Sequence, residues 1–269
     1  MSVLGMGTMT WLCEQREGDQ LVFRVGRDGD MLVADFVGVG KLHADTRRAT
    51  HSFEPDPRAD PASVAKLVEG PIPALLRHLE GRPALHGAAV ALHGRALICV
   101  GPGGAGKSTM IAELAMRPAF ELVSDDAAAI DVVGPAVRIT PTEPSLWLLP
   151  SARRALQLDA TTSAKTRVSP RLRCRSAVPV AAICALTFDE AGDRPVLRRL
   201  GGGEAFGVLA GCAVRFAIDD VAARAREFDQ LVEICKRVPV FELLRPRSLE
   251  QLAAAGNLLQ TLLEEGRAT

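Results

Sequence analysis

A chain of 269 residues with 48% hydrophobic and 24% charged residues has the apolar content for a sizeable core, which excludes a disordered chain. Its 32 Lys and Arg balance 32 Asp and Glu, so a net charge of zero gives no electrostatic pointer to nucleic acid. No apolar run approaches the roughly 20 residues of a bilayer-spanning helix, and the opening MSVLGMGTMTWLCEQ has no secretory leader pattern.

The six cysteines (Cys13, Cys99, Cys174, Cys184, Cys212, Cys235) include no C-x-x-C pair, and several sit in apolar runs. Reduced thiols are therefore expected, in a cytoplasmic protein with neither nucleic acid nor membrane as partner.

In chain order, residues 21–26 and 31–39 read as a hairpin turning at Arg27-Asp28-Gly29-Asp30. Thr46 to Pro61 is polar and proline-bearing, so a loop is expected. Ala62 to Leu79 has apolar residues at helical spacing broken by Gly70-Pro71, which predicts two short helices. Ala88–Leu92 and Ala96–Val100 predict strands about a turn at His93-Gly94-Arg95. A helix over Ser108–Met116 is next, then a strand over Phe120–Val123 and a hairpin of Ala127–Val133 with Ala136–Ile139. Residues 160–178 are polar and arginine-rich, and Val180–Phe188 is a buried strand. Helices are predicted over Asp219–Cys235 and Ser248–Leu263, the second opened by a capping box of Ser248 with Gln251. The pattern is an α/β core over 81–269 behind a β-rich extension over 1–80 that also holds the short helices.

The sharpest motif lies between a strand and a helix. Gly101-Pro102-Gly103-Gly104-Ala105-Gly106-Lys107-Ser108 matches the phosphate-loop pattern G-x-x-x-x-G-K-[ST] in full, with Thr109 next. Glycines allow backbone N–H groups to converge on one phosphate, and the helix N-terminus adds partial positive charge. Lys107 is the phosphate-facing cation, Ala105 lies within the cradle, and Ser108 supplies a hydroxyl ligand for Mg²⁺. Asp125 and Asp126 end the next strand, 18 positions past Lys107. In a parallel arrangement they would stand beside the γ-phosphate, where one carboxylate orients Mg²⁺ and the other accepts a proton. ATP and Mg²⁺ are thus the implied cofactors.

Taken with Leu85-His86-Gly87, fifteen positions ahead of the loop, these residues resemble the catalytic core of HPr kinase/phosphorylase. The good match runs over about residues 84–130. Weaker likeness, through Lys165, Val180–Phe188, Gly201–Leu209 and Val238–Leu244, is to the HPr-kinase-like proteins of ribosomal-peptide pathways, lasso peptides included. The resemblance implies a P-loop core of the HPr kinase/phosphoenolpyruvate carboxykinase type and phosphorylation of a serine on a peptide or protein. It further implies Asp125 as general base, Asp126 with Ser108 on Mg²⁺, and His86 beside the γ-phosphate. The family's glutamate after Lys-Ser is Thr109 here, and its downstream acidic-Ile-Arg-Gly signature has no clear counterpart.

Arg171 and Arg173 are candidate acceptor contacts, because guanidinium groups pair with carboxylates, and Lys165 is a candidate contact to a phosphate or the substrate. Two rival readings remain open. A small-molecule kinase also puts carboxylates on the strand after the loop, although such chains usually begin with the loop and about 100 residues precede it here. A nucleotide-binding regulatory protein would need no transferase chemistry. A homo-oligomer is compatible with the apolar stripes near residues 228–263.

Overall fold

The computed structural model describes residues 9–45, 47–159, 165–216, 218 and 220–265. They form a mixed α/β chain in two units, residues 1–81 with 215–224, and residues 82–214 with 225–269. No described helix is long and apolar enough to cross a membrane. All six cysteines are free thiols.

The first unit is an antiparallel meander of β1 (Thr10–Glu17), β2 (Gln20–Asp28), β3 (Met31–Phe36), β4 (Gly40–Asp45) and β5 (Thr50–Pro55), in that spatial order. Asp28 pairs with Met31 across Gly29 and Asp30, and Gly29 takes φ 58°, so the expected hairpin forms with glycine where a left-handed turn needs it. The strand expected to continue through residue 39 ends at Phe36 in a tight turn to β4. The loop expected over Thr46–Pro61 is a strand as far as Pro55. As an edge strand β5 contributes only half-buried Phe53 to the core, so its polar composition hides it from a hydrophobic pattern.

Gly70 divides α1 (Pro61–Glu69) from α2 (Pro71–Glu80), as the proline and glycine dictate. The Asp60 carboxylate accepts from Ser63 N–H to cap α1, and Gly81 at φ 68° closes α2. Their apolar faces, Leu67, Ile72 and Leu75, pack with Phe23, Val25 and Leu32 of the meander.

The second unit has one large sheet. Its strands are β6 (Ala84–Leu92), β7 (Arg95–Val100), β8 (Phe120–Ser124), β9 (Ala127–Val133), β10 (Ala136–Thr140), β13 (Val178–Phe188), β14 (Val196–Arg199) and β15 (Val240–Arg245). A separate ribbon joins β11 (Leu146–Leu148) to β12 (Thr166–Val168). The sheet order is β10-β9-β6-β7-β13-β15-β14, with β8 on the same side of β6 as β9 and β10 also pairing the start of β13. The sheet therefore closes on itself at that end. Here β8 does not lie parallel beside β7, as the sequence led us to expect; it pairs antiparallel with β6, which is itself antiparallel to β7. Two reversals leave β8 running in the direction of β7, so both strands deliver their carboxyl ends to one edge.

Both faces of this sheet are covered. Leu97 and Cys99 face one core, with α3 (Lys107–Ala115) and α7 (Leu252–Glu265). Alternate residues Ala96, Ile98 and Val100 face the other, with α5 (Gly202–Cys212) and α6 (Val221–Arg237). Burial on both sides makes ALICV and AAICAL read as unbroken apolar runs. The short helix α4 (Pro150–Ala155) follows β11. A 3-10 turn at Leu249–Gln251 precedes α7, and Ser248 caps it by accepting from Glu250 N–H, in place of the expected capping box with Gln251.

Leu75 has no exposed surface and sits centrally in the first unit's core. Leu75→Ala should lower unfolding stability by about 2–5 kcal/mol, read as a shift in urea midpoint at unchanged slope.

Candidate functional site

The carboxyl ends of β7, β8, β13 and β15 converge with the start of β6 around a cavity of about 460 Å³. Its wall includes His86, Gly103, Gly104, Gly106, Lys107 and Ser108, and beyond these Thr109, Asp126 and Lys165. The sequence-predicted residues are thus brought together, apart from those treated below.

The glycine segment leaves β7 and enters α3. Gly101, Gly104 and Gly106 have φ of 149°, 80° and 82°, values that side chains with a Cβ resist. Ala105 N–H donates to Pro102 O at 3.2 Å, and Met110 N–H to Gly106 O at 2.9 Å, so the loop turns tightly into the helix. Gly101 and Ala105 are buried beneath the exposed Gly103 and Gly104. Lys107 is also buried, its Nζ donating to Gly101 O at 2.9 Å and Pro102 O at 3.0 Å. Burial pulls its pKa down from the ordinary lysine value, and Asp126 opposes that.

The two aspartates differ sharply in environment. Asp125 is 3% exposed, whereas Asp126 is open to the cavity. The Asp125 Oδ2 accepts from Trp147 N–H at 2.7 Å, and the carboxylate also meets the Ser108 hydroxyl. Oδ1 of Asp125 is buried with no hydrogen-bond partner. Burial raises the Asp125 pKa above the ordinary value, and the Ser108 and Trp147 contacts only partly offset it. Asp126 Oδ1 lies 3.6 Å from His86 Nδ1. His86 is half-buried, and burial followed by the charge on Lys107 lowers its pKa, which favours the neutral ring.

Three contributors went unread in the sequence. Glu143 is one: its Oε2 accepts from Asp125 N–H at 3.0 Å and its Oε1 from Ala127 N–H at 3.3 Å, so one carboxylate straddles Asp126. Burial raises its pKa as well, opposed by the Thr142 hydroxyl. Arg245 is the second, a buried guanidinium at the end of β15 whose Nη2 donates to Ala105 O at 2.6 Å. Any Cβ at Gly106 would stand 2.5 Å from that nitrogen. The third is Phe188, whose ring carries Arg245 at 4.5 Å and Arg247 at 4.4 Å from its centroid. Glu143 and Phe188 carry no spacing signal, but Arg245-Pro246-Arg247 directly follows an apolar strand run and was open to notice.

The arginine segment does not line this cavity. Leu122 N–H donates to Leu172 O and Cys174 N–H donates to Leu122 O, so residues 172–174 pair parallel along the free edge of β8. Arg173 lines a second cleft instead, and Arg171 lines neither. The polar, arginine-rich stretch is thus partly edge cover and, at β12, partly strand; residues 160–164 lie outside the described ones.

Chemically, the site offers a backbone cradle and a helix N-terminus for an anion, and oxygen donors for a hard divalent cation at Ser108, Asp125 and Asp126. The orphaned Asp125 Oδ1 fits such a cation, which would supply the positive charge that burial leaves lacking. Among the described residues no three of His, Cys, Asp and Glu cluster as an all-protein metal cage.

No protein-family profile matches the sequence, and no curated protein matches it significantly. Among solved structures, the Hpr(Ser) kinase/phosphatase from Coxiella burnetii is similar at 13% identity and a TM-score of 0.37, over 68% of this chain and 97% of that one.

Because the folded pKa of Asp125 is raised, the folded state holds the proton more tightly than the unfolded chain, and stability falls as pH climbs from the ordinary carboxylate value through the raised one. Asp125→Asn removes this loss while keeping an acceptor for Trp147 N–H. The variant should melt about 2 °C or more above wild type at about pH 8, with a smaller margin at about pH 4, by calorimetry.

Proposed function

We propose that this protein is an ATP- and Mg²⁺-dependent kinase whose glycine segment is a phosphate loop in a core of the HPr kinase type, and whose acceptor is a serine hydroxyl of a peptide or protein. The observation that carries it is the meeting in one cavity of the glycine cradle, Lys107 and Ser108 with an open carboxylate, Asp126, while a second carboxylate, Asp125, is buried behind the cavity wall beside Ser108. A glycine turn serving only to start a helix has no use for two carboxylates at its mouth.

In this reading, Gly103, Gly104, Gly106 and Thr109 contribute backbone N–H groups to the phosphates, and Lys107 exchanges its two carbonyl partners for phosphate oxygens. Ser108 and Asp125 hold Mg²⁺, which when bound neutralises charge on the transferred group. The resemblance assigns Asp125 as base and Asp126 to the metal; we propose the opposite division. Asp125 is sealed from an incoming hydroxyl, with one oxygen committed to Trp147 N–H. Asp126 faces the cavity with neutral His86 beside it. The serine oxygen attacks the γ-phosphorus, the bond to the β-phosphate oxygen breaks, ADP departs, and the serine proton passes to the Asp126 carboxylate. Glu143 fixes the backbone on either side of that carboxylate. Lys165, at the cavity wall, is a contact for the acceptor or its phosphate.

Lys107→Ala should leave the fold intact and weaken Mg·ATP binding at least about tenfold by calorimetry; unchanged affinity would remove the nucleotide assignment. Asp126→Asn should reduce turnover by about 10²-fold or more at near-normal ATP affinity, whereas Asp125→Asn should raise the Mg²⁺ requirement. The reverse pattern would restore the roles that the resemblance implies.

A further inference from the structure

Residues 172–174 run along β8 as a single parallel bridge, and among the described residues their backbone bonds to it are through Leu172 O and Cys174 N–H. In this parallel pattern the N–H and C=O of Arg173 point away from β8. Alternation puts the Arg173 side chain opposite buried Cys174, and exposed Arg171 and Arg175 flank it in sequence. All three arginines are exposed, and among the described residues none has an ion pair or hydrogen bond through its guanidinium. This contrasts with Arg24, Arg82, Arg117, Arg198 and Arg237, each held by a carboxylate. Beside the segment lies a cleft of about 280 Å³ whose far wall is Pro141, Thr142, Glu143 and Pro144.

We propose that this edge is the docking surface for an acidic, extended stretch of the acceptor polypeptide, which adds as a strand outside Arg173 and places its carboxylates on the three guanidinium groups. The proposal rests on the kinase reading for its purpose but not for its test. Two features favour a peptide over a nucleic acid. An unpaired backbone edge reads another backbone, and the segment carries no aromatic ring on which a base would stack. Half-exposed Leu172 adds an apolar contact.

Glu143 lines the cleft and Trp147 lines the cavity that holds Asp126. Four residues of chain span at most about 14 Å, so cleft and cavity adjoin along this stretch, and an acidic run close in sequence to the acceptor serine can reach the arginines.

The test is direct binding without nucleotide, so that it stands or falls apart from the ATP assignment. The probe is a fluorescein-labelled peptide of three glutamates, three glycines and a serine, read by anisotropy against the whole protein. Wild type should bind it, and R171A/R173A/R175A should weaken it at least about tenfold, because charge-assisted pairs worth about 1.4 kcal/mol in sum suffice for that factor. Since all three side chains are exposed, the variant should keep wild-type melting and ATP affinity. Amide exchange at Arg173 should slow when the peptide is bound, as strand addition requires. No binding by wild type, equal binding by the variant, or no protection at Arg173 would overturn the proposal. So would an oligothymidine that binds as tightly with the same arginine dependence, since that marks a nucleic-acid surface.

Discussion

A sheet covered on both faces has only its strand ends and its outer edges left for chemistry. In the second unit, α3 and α7 close one face and α5 and α6 the other, so nothing polar can be reached through the middle. The geometry at the ends then decides what the protein can do. Strands β7, β13 and β15 run parallel, and β8 joins their direction through β6, so four carboxyl termini open at one rim. Backbone amides and carboxylates that would be expensive to bury elsewhere gather there, beside a partner or open space, with the buried Asp125 Oδ1 as the exception.

The rim concentrates charge that burial opposes. Asp125 and Glu143 have raised pKa values and Lys107 and His86 lowered ones, and in all four the loss of water is the leading cause. Groups strained toward neutrality on both sides are poised to gain from a ligand that brings the missing charge. An anion would favour protonated Lys107, and a cation would favour ionised Asp125. A nucleotide with its metal brings both at once, in keeping with the geometry on which the kinase proposal rests.

Much of this was legible in the sequence wherever a local pattern carries the constraint. Gly101 to Ser108 needs its glycines at set offsets because the backbone adopts positive φ there, and Gly70-Pro71 splits a helix for steric reasons. Unread were features made by distant chain segments. Phe216 packs on Phe23 and His78 in the first unit, although most of the second unit intervenes in sequence. β5 looks like a loop because an edge strand needs little apolar surface. Glu143 was invisible as a site residue, since its role consists of two backbone N–H groups that the fold alone delivers to it. The arginine segment was recognised as basic, but its attachment to β8 depends on an edge whose freedom no one-dimensional pattern reports.

The contact between Arg245 and the glycine segment has a consequence for how this site can change over generations. The guanidinium fills the volume beside Gly106 where any other residue would need its Cβ, and at the same time it holds the carbonyl of Ala105. Replacing the glycine first crowds the arginine, and replacing the arginine first leaves a buried carbonyl without its donor. Neither step is neutral, and the φ of 82° at position 106 penalises a Cβ there even once the arginine is gone. Positions 106 and 245, far apart in the chain, are thus constrained together, and a lineage that keeps this loop's backbone is expected to keep both residues.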